Sequence, residues 1–153
     1  MFDIASKIKY DPTKDLRPED KFGPLSVGKY LLLPEEVKVH FICKEDQCED
    51  LELLLGKRYI GVDAEWRAAI GFGSDASSKG GPAIIQISSE KDAFIVDLIA
   101  LANSQVLDTI LCKVFNHPNT VIVGFSFHND LKMLARFLKN LKFYKKIGQL
   151  LDI

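Results

Sequence analysis

Asp63 and Glu65 are the side chains whose type and spacing point most directly to chemistry. They close the apolar run Tyr59-Ile60-Gly61-Val62, in the order Asp63-Ala64-Glu65-Trp66. On a strand, residues two apart share a face and stand about 7 Å apart along the chain. Ile60, Val62 and Ala64 would then point the other way, into a core. Two carboxylates on one side of an apolar strand are costly unless a counter-charge neutralises them. A divalent cation such as Mg²⁺ does so with oxygen ligands, and its characteristic substrates are phosphates.

A third acid stands farther along. Val121-Ile122-Val123-Gly124-Phe125-Ser126-Phe127-His128-Asn129-Asp130 is an apolar strand running into a helix, with Asp130 at the junction. By itself such an acid is a helix N-terminal residue, favoured by the helix dipole. Together with Asp63 and Glu65, it can complete a three-carboxylate pocket for two metal ions.

The elements that must position these acids follow from periodicity and breakers. Val37–Ile42 alternates and reads as a first strand, and Asp46–Leu55 as a helix with an acidic start. After the Asp63 strand, residues 71–82 form a Gly/Ser-rich loop. Ala83–Ser88 and Ala93–Val96 are the next strands, joined by Ser89-Glu90-Lys91-Asp92, and would complete an antiparallel meander with the Asp63 strand. Leu98–Phe115 has helical spacing, with Asp97 as its cap and Asn116-His117-Pro118-Asn119 as its stop. Thr120–Phe125 reads as a buried strand, followed by a helix beginning near Asn129. Residues 1–29 are rich in Lys, Asp, Pro and Gly and read as an extension or linker, with the domain proper at 30–153. Tyr30–Pro34 is a short apolar segment expected at the domain edge.

This order predicts an α/β fold of ribonuclease-H-like type. It is a mixed central sheet with an antiparallel three-strand meander, flanked by helices.

The strand V-D-A-E-W, the meander P-A-I-I-Q-I-S and F-I-V-D-L, and the later G-F-S-F-H-N-D with L-K-M-L resemble the first two motifs of the DEDD 3′–5′ exonucleases. The likeness is to the RNase D and Werner-type group, and most of all to its Nibbler-type branch. It runs from about residue 30 to the C-terminus. The resemblance implies that Asp63, Glu65 and Asp130 are catalytic and bind Mg²⁺ or Mn²⁺. It also implies two-metal hydrolysis that trims 3′ ends and releases nucleoside monophosphates, with RNA the favoured substrate over DNA. The implied nucleic-acid contacts are Ala64, through its backbone, Trp66, Phe127, His128, Asn129, Lys132 and Arg136. The Trp66 ring has a second reading, as a wedge between strand and helix. A small-RNA pathway protein such as an Argonaute is a partner implied by the Nibbler likeness alone.

One part of the family pattern is absent. The family carries a fourth carboxylate on a later helix, four residues after a Tyr or His. Asp152 is the late candidate, but Gly148 stands four residues before it and only 22 residues separate it from Asp130. Asp152 therefore reads as structural, and the domain as C-terminally incomplete. The alternative function is a catalytically impaired module of the same fold that binds nucleic acid or protein. A different ribonuclease-H-like enzyme, such as an endonuclease, is disfavoured by the G-F-S-F-H-N-D segment.

Bulk properties set the frame. The 153 residues carry 20 Lys and Arg against 21 Asp and Glu, so a nucleic-acid partner would need a local patch rather than a global field. Lys132, Arg136 and Lys139 fall on one helical face, opposite Leu134, Phe137, Leu138 and Leu141, and Lys142, Lys145 and Lys146 extend the positive stretch. That face reads either as solvated surface or as a phosphate-tracking patch. Cys43, Cys48 and Cys112 lack the paired spacing of a zinc site and read as free thiols of a reducing compartment. With no apolar leader and no membrane-length run, the expected location is intracellular, cytoplasmic before nuclear. His40 and His117 read as residues without partners, and Gln86 as a buried amide.

Overall fold

The computed structural model describes residues 34–67 and 80–153. Six strands form one mixed sheet: β1 (Lys38–Ile42), β2 (Tyr59–Trp66), β3 (Pro82–Ser88), β4 (Asp92–Asp97), β5 (Val121–Gly124) and β6 (Leu150–Asp152). Their order across the sheet is β1-β4-β3-β2-β5-β6. β2, β3 and β4 pair antiparallel as the expected meander. β1 lies parallel to β4, and β5 parallel to both β2 and β6.

Period-two alternation divides the sheet into unlike faces. On one, Ile60, Val62 and Ala64 of β2 join Ile85, Ile87, Phe94, Val96 and Ile122 in a single apolar core. Two α-helices and a 3-10 helix contribute to that core: α1 (Gln105–Phe115), α2 (Phe127–Phe137) and Glu45–Leu54. On the other face, the register sets Phe41, Ile95, Gln86 and Asp63 in one row across four strands.

Several expected boundaries move, each for a local reason. The expected helix at Asp46–Leu55 is a 3-10 helix over Glu45–Leu54. Its buried residues Cys48, Leu51 and Leu54 recur every three positions, which suits three residues per turn rather than 3.6. The expected helix from Leu98 starts only at Gln105. Asp97 Oδ1 accepts from the backbone N–H of Ile99 and Ala100 at 2.8 and 2.9 Å, which folds residues 98–103 into turns. Ser104 is the true N-cap, accepting from Leu107 N–H at 3.2 Å.

α2 starts two residues before the expected Asn129 and ends at Phe137, so Leu138, Lys139 and Leu141 lie beyond the helix that was to carry them. The strand expected over Thr120–Phe125 is shorter, and Phe125 is 78% exposed. His40 is not without partners: it stacks on Phe94 and lies 3.2 Å from Asp92 and 3.8 Å from Asp50. His117 Nδ1 accepts from Asn119 N–H at 3.4 Å. The cysteines are free, and burial pushes the Cys48 thiol up to about 11. The extension at 1–29, the apolar segment up to Leu33 and most of the 71–82 loop lie outside the described residues. No helix among the described residues is long and apolar enough to cross a membrane.

Candidate active site

β2 and β5 run parallel, side by side, so their carboxyl ends open at the same edge of the sheet. In α/β sheets this is where ligands gather. β2 delivers Asp63 and Glu65 there. Both are exposed, on the face opposite Val62 and Ala64, as the alternation requires. Pairing with β5 stops at Gly61, so the acidic end of β2 is unpaired on its β5 side, while its pairing with β3 is irregular between Glu65 and Trp66.

β5 delivers the third acid. After Gly124 the chain turns through Ser126, a non-glycine residue with φ 50°, and enters α2 at Phe127. The turn is tight enough that a Cβ on Gly124 would overlap the Phe127 side chain. Asp130 therefore sits in the first turn of α2, facing β2.

The contacts at this junction are specific. Trp66 donates its indole N–H to Asp130 Oδ1 at 3.1 Å, and its ring meets Phe137 at 6.4 Å between centroids. Of its two readings, the structure supplies the wedge between strand and helix, with the indole N–H steering Asp130. Asp63 Oδ1 accepts from the Ala64 backbone N–H at 2.9 Å. The Asp130 carboxyl is pushed above its ordinary value, first by burial and then by the negative charges of Asp63, Asp152 and Glu65; the Trp66 hydrogen bond pulls the other way.

At Asp130 the nearby acids add to the burial that disfavours the ionised form, a charge that a cation would relieve. All are hard oxygen donors, the kind Mg²⁺ and Mn²⁺ take. Even so, no three Asp, Glu, His or Cys side chains among the described residues are grouped closely enough to hold an ion in the arrangement seen. The donor chemistry fits a divalent metal, and Asp63, Glu65 and Asp130 are the residues that would hold it.

Asp152 is committed elsewhere. Its Oδ1 accepts from Phe127 N–H at 2.7 Å and its Oδ2 from His128 N–H at 3.0 Å. β6 brings it there by pairing Asp152 with Gly124. It holds the N-terminus of the helix that carries Asp130, satisfying donors that no helix can satisfy internally.

The remaining sequence candidates divide. Phe127 is fully buried in the core, so the expectation of a nucleic-acid contact is corrected: its ring fills the space beneath Gly124. Ala64 is buried too, leaving only backbone to face a ligand. His128, Asn129, Lys132 and Arg136 are exposed on α2. The basic stripe is split. The Arg136 guanidinium lies 5.7 Å over the Phe137 ring, whereas His128, Lys132 and Lys139 line a separate concavity. Gln86 is exposed rather than buried, directly across from Asp63. Its place was legible in the period of β3, since Ile85 and Ile87 are the core residues on either side.

A family model described as 3′–5′ exonuclease matches residues 39–150. Solved structures agree in fold. The catalytic core of RRP6 from Trypanosoma brucei is 25% identical with a TM-score of 0.61, covering 80% of this chain and 30% of that one. The Nibbler EXO domain of Aedes aegypti is 21% identical with a TM-score of 0.58, covering 80% and 55%. Trypanosoma brucei RNase D in complex with RNA U12 is 19% identical with a TM-score of 0.57, covering 76% and 38%. The chain thus spans between 30% and 55% of these relatives' lengths. No curated protein matches at a significant level. The mixed sheet is the ribonuclease-H-like exonuclease arrangement, and the chain belongs to the 3′–5′ exonuclease family.

Proposed function

We propose that this domain trims 3′ ends of single-stranded nucleic acid, RNA before DNA, by metal-dependent hydrolysis that releases nucleoside monophosphates. The observation that carries the reading is the placement of Asp63 and Glu65 at the carboxyl end of β2 and of Asp130 just past the parallel β5, with Trp66 of β2 donating to Asp130. These three carboxylates would hold Mg²⁺ or Mn²⁺. When bound, such ions supply a polarised phosphodiester, an activated water and a stabilised leaving oxygen, as a pair in the complete family site. Trp66 keeps Asp130 oriented, and Asp152 keeps the Asp130 helix in place. RNA is preferred because RNA is the ligand in the RNase D complex that this fold resembles. An Argonaute presenting small-RNA ends is one source of such a substrate, on the Nibbler likeness.

A second reading has its own observation. No acid trio stands ready to hold an ion, and Asp152 is occupied at a helix terminus, so the described residues support a binding module of exonuclease fold as well. Digestion of 3′-labelled single-stranded RNA with Mn²⁺ separates the two. Wild type should release labelled mononucleotide, and Asp63→Asn should be slower by about 100-fold or more. Equal rates in both proteins would leave the binding module standing. Calorimetric titration with Mn²⁺ tests the pocket itself, since Glu65→Gln should lose the binding that wild type shows.

A further inference from the structure

Two surface patches of opposite charge stand apart from the three acids, and each sets apolar side chains among its ionised ones. The first lies on α2. Leu131, Lys132 and Ala135 follow His128 at the three-, four- and seven-residue steps that share one helix face. That face points away from the one that carries Asp130, Leu134 and Phe137. With Lys139, Tyr144 and Lys145 these residues line a concavity of about 630 Å³. Leu131, Ala135 and Tyr144 supply its apolar surface, the three lysines make it basic, and no carboxylate among the described residues lines it.

Its far wall is fixed. Asp108 is buried in α1, and its Oδ1 accepts from the backbone N–H groups of Lys142 and Phe143 at 2.6 and 2.8 Å. Tyr144 donates its hydroxyl to the Leu138 carbonyl at 2.7 Å, so the 3-10 turn Phe143–Lys145 is tied to both α1 and the end of α2. With that hydroxyl used, the polar groups among the lining side chains are long ammonium groups and one imidazole. Small-ligand sites fix orientation with a few precisely placed polar groups. Flexible cations beside apolar surface suit instead a protein segment that bears acids and an apolar anchor.

The second patch is such a segment. The 3-10 helix Glu45–Leu54 buries Cys48, Leu51 and Leu54. The same three-residue period sets Asp46, Glu49 and Glu52 in one exposed row, about 12 Å long at 2.0 Å per residue. Leu53 and Leu55, 50% and 37% exposed, add apolar side chains at its end. The α2 stripe from His128 to Ala135 is about 10 Å long at 1.5 Å per residue. The patches thus match in length and oppose in charge. None of these acids lines the concavity of its own chain. With 20 basic and 21 acidic residues, the chain has almost no net charge to hold copies apart.

We propose that the concavity docks the acidic 3-10 helix of a second copy of this chain, with the lysines against its carboxylates and its leucines against Leu131, Ala135 and Tyr144. The contact joins unlike surfaces, so copies add head to tail unless two contacts close within one pair. It uses none of Asp63, Glu65 and Asp130, and so stands apart from the nuclease reading.

The test is sedimentation velocity on the full chain in EDTA, which removes metal bridging between carboxylates. Wild type at about 0.5 mM, where a Kd near 1 mM is still visible, should associate in low salt. It should return to monomer at about 0.5 M salt, where exposed charges are screened within a few ångströms. Lys132→Glu/Lys139→Glu and Asp46→Lys/Glu49→Lys should each weaken association about tenfold or more, because like charges then face one another. All four changes in one chain keep the net charge of −1 and reverse both patches, so association should return. Glu36→Lys/Glu90→Lys carries the same net charge as the second variant and should associate like wild type.

Wild type that stays monomeric in low salt overturns the proposal, as does either two-site variant that associates undiminished. So does a four-site chain that stays monomeric, or an equal loss in Glu36→Lys/Glu90→Lys, which would mark a field effect. Circular dichroism checks that each variant is folded, and Lys132→Gln/Lys139→Gln or Asp46→Asn/Glu49→Gln replaces one that is not. A monomeric wild type that still cleaves RNA removes this contact alone. One that associates as described but cleaves nothing removes only the nuclease reading.

Discussion

The two faces of the sheet share their strands residue by residue, yet they are built for opposite ends. On the helix-covered face, the rows His40–Phe94–Ile87–Val62 and Ile42–Val96–Ile85–Ala64 are almost all closed to solvent. On the other, the row Phe41–Ile95–Gln86–Asp63 mixes apolar and acidic groups and remains accessible. A single β2 position separates Val62, which holds the fold, from Asp63, a candidate for its chemistry. The placement costs no buried charge, because the acids lie on the accessible side. The difference shows why a candidate site can be carried on a central strand without weakening the core behind it.

The sharpest way to break this contrast is to remove one aromatic from each side. Phe127 is fully buried beneath Gly124, and Phe127→Ala should cost about 3–5 kcal/mol. Phe41 is 54% exposed on the open face, and Phe41→Ala should change stability by no more than about 0.5 kcal/mol. Urea denaturation of the two variants measures both. Equal losses would mean that the open face is packed as firmly as the core, and the division drawn here would fail.

A smaller effect compares two aspartates. Asp152→Ala removes two charge-assisted hydrogen bonds from the N-terminus of α2 and should cost about 1–2 kcal/mol. Asp63→Ala removes one hydrogen bond to the next residue's own backbone, on the open face, and should lie within about 0.5 kcal/mol of wild type. Thermal unfolding with a chelator present distinguishes them. If Asp63→Ala proves the more destabilising, its carboxylate is part of the framework rather than of the site.

The same contrast explains what could be read from the sequence. The β2 alternation was legible because period two is a local property, and it fixed which residues face the core and which carry charge. The meander was legible because its turns are short and polar. Phe127 was not: in Ser126-Phe127-His128 it looks like a residue of an exposed junction, and its burial depends on a glycine three positions earlier leaving room. A glycine that closes a strand just before an aromatic is the signal that could have found it. β6 has only three exposed residues, so its pairing with β5, and with it the capping role of Asp152, has no signature in hydrophobic pattern. The turn at 98–103 has no signature of its own, because an Asp before a periodic run suits a helix cap equally well, whereas the Asp97 carboxylate closes a turn and the helix takes Ser104. Asp108 was invisible for the opposite reason, since a buried acid within an amphipathic helix contradicts the pattern that identifies the helix.

The smallest effect lies at the seam between the two faces, in the titration of Asp130. Its carboxyl is raised from an ordinary value of 3.8, by burial first and by Asp63, Asp152 and Glu65 after that. The native state therefore holds that proton more tightly than the unfolded chain does. Asp130's contribution to stability is complete at acid pH and is lost as pH rises from near 3.8 through the raised value. At neutral pH in a chelator, Asp130→Asn should then be slightly more stable than wild type, by less than about 1 kcal/mol after solvent screening. The Asn oxygen can still accept from the Trp66 indole, so the variant tests charge rather than the hydrogen bond. Trp66→Phe tests the hydrogen bond: without the indole N–H, the one influence that lowers the Asp130 value is gone, and the carboxyl should titrate higher still. Carboxyl titration by NMR reads both variants directly. An Asp130 that moves down in Trp66→Phe would show that the indole bond does not favour its carboxylate. One that titrates below its ordinary value in wild type would show that neither burial nor the neighbouring acids oppose its charge, and the case for a shared cation at this edge would go with it.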